Sequence, residues 1–213
     1  RAWLRITVEL QEALKLLATS ATDEDVPRVP ALAASRALLS LESAALTVDL
    51  PDELLDLEDR IRAASALEPR PTPGLNAVLR PYQLEGVTWL RRLRAWAPGA
   101  ILADEMGLGK TLQALALILE TGGRALVVAP ASVGFNWLRE SQRFAPDLPA
   151  HLYRGPDRAI EGEHGVWITS YELLVRDLPT LGELRFDTVV FDEAQALKNP
   201  LTQRSRAARS LDA

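Results

Sequence analysis

Apolar positions along this chain keep two different rhythms, and the change comes near residue 70. In the first part, Trp3 to Leu10 alternates loosely between apolar and polar, compatible with a strand or with the start of a helix running to Leu17. Thr19 to Pro30 is polar, acidic and closed by two prolines, which predicts a loop. Residues 31–43 read as a helix and Leu46 to Leu50 as a strand, and Asp52 is placed to cap a helix from Glu53 to about Ala66. The run from Glu68 to Gly74 holds three prolines in seven residues, a stiff extended linker. Residues 1–70 are therefore expected to form a small, mainly helical accessory region, and 71–78 a tether to the remainder of the chain.

Beyond the prolines, short apolar runs alternate with amphipathic stretches. A helix is predicted over 81–96 with Tyr82, Leu84, Val87, Leu90 and Leu93 toward the core. Strands are predicted at about 100–103, 125–129, 166–169 and 188–192, with a further short one near 151–153. Helices fall between them, near 110–121, 133–144 and 171–177. Strand and helix in alternation imply an α/β domain whose parallel sheet is covered on both faces, with any site at the carboxyl ends of the strands. Trp89, Trp96 and Trp137 read as packing residues.

The chemistry concentrates in Asp104-Glu105-Met106-Gly107-Leu108-Gly109-Lys110-Thr111. The apolar run Ala100 to Ala103 precedes it, and Leu112, Leu115, Ala116 and Leu119 come after it at helical spacing. Strand, glycine turn, Lys-Thr and helix together form the phosphate-binding loop of P-loop nucleotidases. Glycines at 107 and 109 can take backbone angles closed to other residues, so that successive N–H groups point into one concavity. The helix N-terminus adds partial positive charge for an anion. Lys110 would reach the β- and γ-phosphates, and the Thr111 hydroxyl would bind Mg²⁺. One departure is visible: the general pattern wants glycine at 104, where this chain has Asp.

Such a loop needs a partner strand that ends in acid. Thr188 to Phe191 is β-branched and apolar, and it runs into Asp192-Glu193-Ala194-Gln195. Asp192 would hold the metal, mainly through water, because Mg²⁺ gives up its hydration shell reluctantly. Glu193 would orient or deprotonate the water that attacks the γ-phosphate.

These blocks resemble the first RecA-like lobe of Swi/Snf-type ATPases in helicase superfamily two, bacterial type. The resemblance covers about residues 79–213, with five blocks in the family's order. Leu79-Arg80-Pro81-Tyr82-Gln83 corresponds to the glutamine-bearing block, and Leu102 to Gln113 to the nucleotide block. In that family Asp stands where other P-loops carry the first glycine, so Asp104 fits. Val127 to Ser132 with Asn136-Trp137, and Thr169-Ser170-Tyr171, look like its DNA-facing motifs. Asp192 to Gln195 with Ala196 to Asn199 after it looks like its acidic motif.

The resemblance implies ATP and Mg²⁺ as cofactors, double-stranded DNA as partner, and a second RecA-like lobe in the same protein. Gln83 would read the adenine edge with Arg80 and Tyr82 beside the base. Asp104, Met106, Gly107, Leu108, Gly109, Lys110, Thr111 and Leu112 would line the nucleotide. Thr111 and Asp192 would bind metal, with Lys110, Asp192 and Glu193 catalytic. Ser132, Asn136, Ser170, Tyr171 and Lys198 would face DNA, contacting phosphates, since a motor must not depend on sequence. Gln195 and Lys198 are candidates to link the nucleotide and DNA sides. The expected activity is ATP hydrolysis driving translocation on DNA and remodelling of protein–DNA complexes. The alternatives are a RapA-like ATPase acting on RNA polymerase and, for this chain alone, a non-catalytic nucleotide- or DNA-binding module.

Composition adjusts this picture at the edges. Among 213 residues there is no cysteine, which excludes disulfides and thiolate metal sites. His151 and His164 lie thirteen apart, without metal-ligand spacing. No apolar run approaches the 18 or more residues of a membrane span; taken with the DNA partner that the resemblance implies, the expectation is a cytoplasmic, nucleoid-associated protein without a membrane partner. The net charge of −5 belongs to residues 1–78, with 8 basic and 13 acidic side chains, whereas 79–213 carry 16 of each. Binding to a phosphate backbone then depends on local clusters. The chain begins with Arg and stops at Ala213, before the family's next motif, so a truncated lobe with little hydrolysis of its own is expected.

Overall fold

The computed structural model describes Lys15, which is helical, and residues 52–105 and 107–211. The other expectations for residues 1–51, and those for Met106, lie outside the described residues. The chain divides into two compact units, Arg1–Ala66 and Leu67–Ala213. In the first, helix α1 spans Asp52–Ser65, within a residue of its predicted bounds at either end. Its charges pair one turn apart, Arg62 with Glu58 at 2.5 Å and Arg60 with Asp56 at 3.9 Å. Exposed pairs of this kind contribute a few tenths of a kcal/mol each, roughly 0.2–0.5.

The second unit is built from α2 (Pro81–Arg94), α3 (Lys110–Thr121), β1 (Arg124–Ala129), α4 (Gly134–Phe144), β2 (Ala150–Leu152), β3 (Gly165–Ser170), α5 (Tyr171–Arg176), α6 (Leu178–Leu181), β4 (Thr188–Phe191), a 3-10 turn (Ala194–Leu197) and α7 (Gln203–Arg209). The four strands form one parallel sheet in the order β2-β3-β1-β4. Val128 pairs with Thr169 on one side and with Phe191 on the other, so all three of these strands end at one rim.

Side chains of a strand point alternately to its two faces, and β1 shows what that dictates. Ala125, Val127 and Ala129 pack with Leu115, Ile118, Trp137 and Ile168 beneath α3 and α4. Leu126 and Val128 pack on the other face with Trp167, Tyr171, Leu174 and Phe186. A strand covered on both faces has no polar alternate positions, which is why β1 reads Ala-Leu-Val-Val-Ala without interruption.

The run at 100–103 does not form the predicted strand. Residues 100–105 carry no regular structure, and Ile101 is 81% exposed. Four apolar residues have strand propensity, but a strand exists only where a neighbouring edge accepts its N–H and C=O groups. Here β4 pairs with β1 and, among the described residues, with nothing on its other side. All four of its residues are accordingly only half-buried.

Helix α2 starts as predicted, with Pro81 in its first turn, where the missing N–H is no loss, but ends at Arg94 instead of residue 96. Val87 and Leu90 are buried, whereas Tyr82 and Trp89 are exposed, against the expectation that both pack inward. At 100° per residue the two rings fall together on the side of the helix opposite the buried one, which carries Val87 and Arg91. Arg91 is buried and donates to both oxygens of Glu120 at the end of α3, to the Thr72 hydroxyl at 2.9 Å and to the Arg70 carbonyl at 2.8 Å. Asn76 donates its N–H to the Phe144 carbonyl at 2.7 Å. The proline-containing run from 70 to 76 is thereby laid along the second unit. Helix α7 was not apparent in the sequence; Thr202 caps it by accepting from the Ser205 N–H at 3.3 Å.

Candidate nucleotide site

Two glycines shape the loop that opens α3. Gly107 and Gly109 have φ of +83° and +77°, the left-handed region that side chains rarely enter. Gly109 has a second reason to be glycine: a Cβ there would lie 2.4 Å from Nε2 of Gln83. That amide donates to the Leu108 carbonyl at 3.1 Å, while its oxygen accepts from the Arg80 N–H at 3.0 Å. Gln83 is thus buried and fastens the start of α2 onto the glycine loop. One N–H and one lone pair of its amide are left for a base edge. Arg80 and Tyr82 lie exposed beside it.

The Lys110 ammonium donates to the carbonyls of Asp104 at 2.8 Å and Glu105 at 2.9 Å, spanning the loop it belongs to. Asp104 itself accepts from the Gln113 amide at 3.3 Å. Gln113 is fully buried, its Oε1 has no partner, and a Cβ on Gly86 would stand 2.0 Å from that oxygen. The Asp at the unusual position is therefore held by a glutamine one turn into the helix, and the glutamine fits because residue 86 has no side chain. Sequence reasoning missed Gln113 and Gly86, although a glutamine on the inward stripe of an apolar helix was the available signal.

The acid pair comes directly after β4. Asp192 continues the ladder through its N–H to the Val128 carbonyl at 2.8 Å. Its Oδ1 accepts from the Glu193 N–H at 2.9 Å and its Oδ2 from the Trp137 indole N–H at 2.8 Å. Its own carbonyl accepts from the Tyr171 hydroxyl at 2.7 Å. Glu193 has φ of +53°, the left-handed region, alone among the described non-glycine residues. Strain of this kind, of order 1–3 kcal/mol, persists where surrounding structure imposes it and clusters at active sites. The Glu193 carboxylate is exposed and accepts from the Gln195 amide.

Glu140 on α4 joins the two halves. Burial, opposed by a hydrogen bond from Thr111 and the charge of Arg143 and reinforced by the charge of Asp192, pushes its carboxyl above the ordinary pKa. The threonine of the glycine loop and the acid at the end of β4 therefore both act on Glu140. A hydroxyl, one to three carboxylates and a concave backbone suit a divalent cation that keeps several waters and is held jointly with phosphate oxygens. No cluster of three or more His, Cys, Asp or Glu side chains forms a metal cage among the described residues, and this mode of binding does not need one.

The residues expected at DNA divide. Ser132, Asn136 and Lys198 are exposed. The Ser170 hydroxyl caps α5 by accepting from the Leu173 N–H at 3.2 Å. Tyr171 is 2% exposed, and its hydroxyl is turned inward to Asp192. Burial, with the Asp192 charge adding to it, pushes that phenol up to about 12. Trp137 is buried as expected but also carries a hydrogen bond that packing alone would not require.

The chain is similar to known proteins. YwqA of Bacillus subtilis, named an ATP-dependent helicase/translocase, is 42% identical over 182 residues, covering 79% of this chain and 20% of its own length. The ISWI chromatin-remodeling complex ATPase ISW1 of Saccharomyces cerevisiae is 38% identical over 150 residues, 63% of this chain and 13% of that protein. The Sulfolobus solfataricus SWI2/SNF2 ATPase core in complex with dsDNA superposes with a TM-score of 0.65 at 37% identity, over 68% of this chain and 32% of that one. The chain thus spans a fifth or less of these two curated relatives. Its sheet and helices are those of the RecA-like SWI2/SNF2 core. The family model for the SNF2-related domain matches residues 82–213, and the chain belongs to that family.

Proposed function

We propose that this chain is the first ATP-binding lobe of a motor that hydrolyses ATP to translocate along double-stranded DNA and remodel the protein–DNA complexes it meets. The observation that carries this reading is the left-handed glycine loop opening α3, with Lys110 folded across it, in the same lobe as the acid pair that follows β4, where α3 packs on both β4 and α4. Gly107, Gly109 and the N-terminus of α3 receive the phosphates, and Lys110 exchanges its loop carbonyls for phosphate oxygens. Gln83, Arg80 and Tyr82 flank the base. Mg²⁺, when bound by Thr111 and Asp192, neutralises charge on the phosphates. Glu193, strained and exposed, orients the attacking water and accepts its proton. Exposed Ser132, Asn136 and Lys198 face DNA phosphates. A second RecA-like lobe completes the site from the opposite side, and the protein works at the nucleoid. The names of the relatives and the DNA-bound Sulfolobus core support this assignment.

The test is ATP turnover by the protein that carries this lobe, with double-stranded, single-stranded or no DNA, beside Lys110→Ala. Stimulation is expected to be larger with duplex. Lys110→Ala should lower turnover by on the order of 10²-fold or more, as loss of a transition-state donor does. Equal turnover in the variant overturns the nucleotide assignment. No response to either DNA overturns the DNA assignment and favours RNA polymerase as partner.

A further inference from the structure

Asp192 is held by one buried aromatic from each of the two segments expected to face DNA. Trp137 lies on α4, one residue past Asn136, and is 3% exposed. Tyr171 is the first residue of α5, directly after Ser170. The indole N–H reaches the Asp192 side chain and the phenol reaches its backbone carbonyl, from different helices and from opposite faces of the sheet. A carboxylate accepts about four hydrogen bonds. Here two are made within the protein, one to each oxygen, which restrains the rotamer and leaves a lone pair on each oxygen for a further partner.

We propose that Trp137 and Tyr171 are positioning residues that set Asp192 for a divalent cation and couple its affinity for that cation to the two DNA-facing segments. This rests on Asp192 being a metal residue. Partners of this kind, one bond removed from a metal, typically change its affinity 10–100-fold when removed. A displacement of α4 reaches the carboxylate through one hydrogen bond of 2.8 Å, and one of the β3–α5 junction reaches the Asp192 backbone through one of 2.7 Å. Linkage then requires the converse: cation bound at Asp192 changes the affinity of those segments for DNA by the same factor.

The experiment measures the Mg²⁺ concentration giving half-maximal binding of a fluorescent ATP analogue to the 213-residue chain, together with the analogue's affinity in EDTA. Trp137→Phe removes the donor and keeps the ring, so half-saturating Mg²⁺ should rise about tenfold or more while the metal-free affinity stays within about twofold. Tyr171→Phe should shift it in the same direction by less, because the backbone contact acts indirectly. Asp192→Asn is the control. If it moves the Mg²⁺ dependence and Trp137→Phe does not, the positioning role is overturned; if neither moves it, the metal assignment of Asp192 itself falls. Should Trp137→Phe fail to fold, the Trp137 indole ¹H–¹⁵N resonance of the unaltered chain replaces it. A shift on adding Mg²⁺ with nucleotide, absent with nucleotide alone, supports the coupling, and no difference between the two overturns it.

Discussion

Gly107→Ala and Gly109→Ala form a pair that separates backbone strain from a specific contact. Both positions lie near φ +80°, and nothing lies within 4 Å of a Cβ built on Gly107. That substitution therefore meets only the left-handed penalty, about 1–2 kcal/mol. At Gly109 the same penalty applies, and the new methyl would also stand 2.4 Å from Nε2 of Gln83. The amide must move, giving up its bond to the Leu108 carbonyl, a further ~1 kcal/mol for an ordinary hydrogen bond. The expected losses are about 1–2 kcal/mol for Gly107→Ala and about 2–3 kcal/mol for Gly109→Ala. Urea unfolding measures the difference directly from the midpoints. Adding Gln83→Ala should bring the Gly109 penalty down toward that of Gly107, since no amide is left to displace. Equal losses in the two single variants, or no effect of Gln83→Ala on the gap, would refute the placement of Gln83 against the loop.

The same geometry sets three further outcomes. Glu193→Gly relieves a residue held at φ +53° and should stabilise the chain by about 1 kcal/mol in thermal unfolding, while abolishing ATP hydrolysis in the protein that carries the lobe. Gly86→Ala places a methyl 2.0 Å from Gln113 Oε1 and should cost about 1–3 kcal/mol as overpacking, with Gln113→Ala recovering part of it in the double variant. Asp177 accepts from Arg158 at 2.5 and 2.8 Å, and that hydrogen-bonded guanidinium holds its pKa below the ordinary value. Because the folded value is the lower one, this stability is full above about pH 4, where an unfolded aspartate titrates, and is lost as pH falls further. Urea midpoints of the native chain and of Asp177→Asn should therefore converge below about pH 4; a constant gap down to the acid limit would rule the pairing out.

Much of the architecture was legible because its causes are local. β1 is an unbroken apolar run, Gly107 and Gly109 bracket a turn, and Pro81 opens a helix; each announces itself within a few residues. The acid after β4 was legible for the same reason. What escaped is decided by residues far apart in the chain. Ala100 to Ala103 carries the same local signal as β1, yet only β1 lies between two partners. Trp137 reads as a packing residue because the other end of its hydrogen bond lies 55 positions away. Gln113, Gly86 and Asp104 form a unit only once α2 is laid against α3. Glu140 gives no signal of its own, since nothing on α4 records that Thr111 and Asp192 act on its carboxyl. Tyr82 and Trp89 were misplaced because they are apolar but share a side of α2 opposite to the one that Val87 and Arg91 bury.

The seam between α2 and α3 has a mechanical consequence. Helix α2 is fastened at its start by Gln83 to the Leu108 carbonyl and near its end by Arg91 to Glu120 on α3. Clasps at both ends of one helix oppose sliding as well as hinging, so α2 and α3 are expected to travel as a single rigid pair. On the function proposed above, a nucleotide bound between them would meet a caliper of fixed opening.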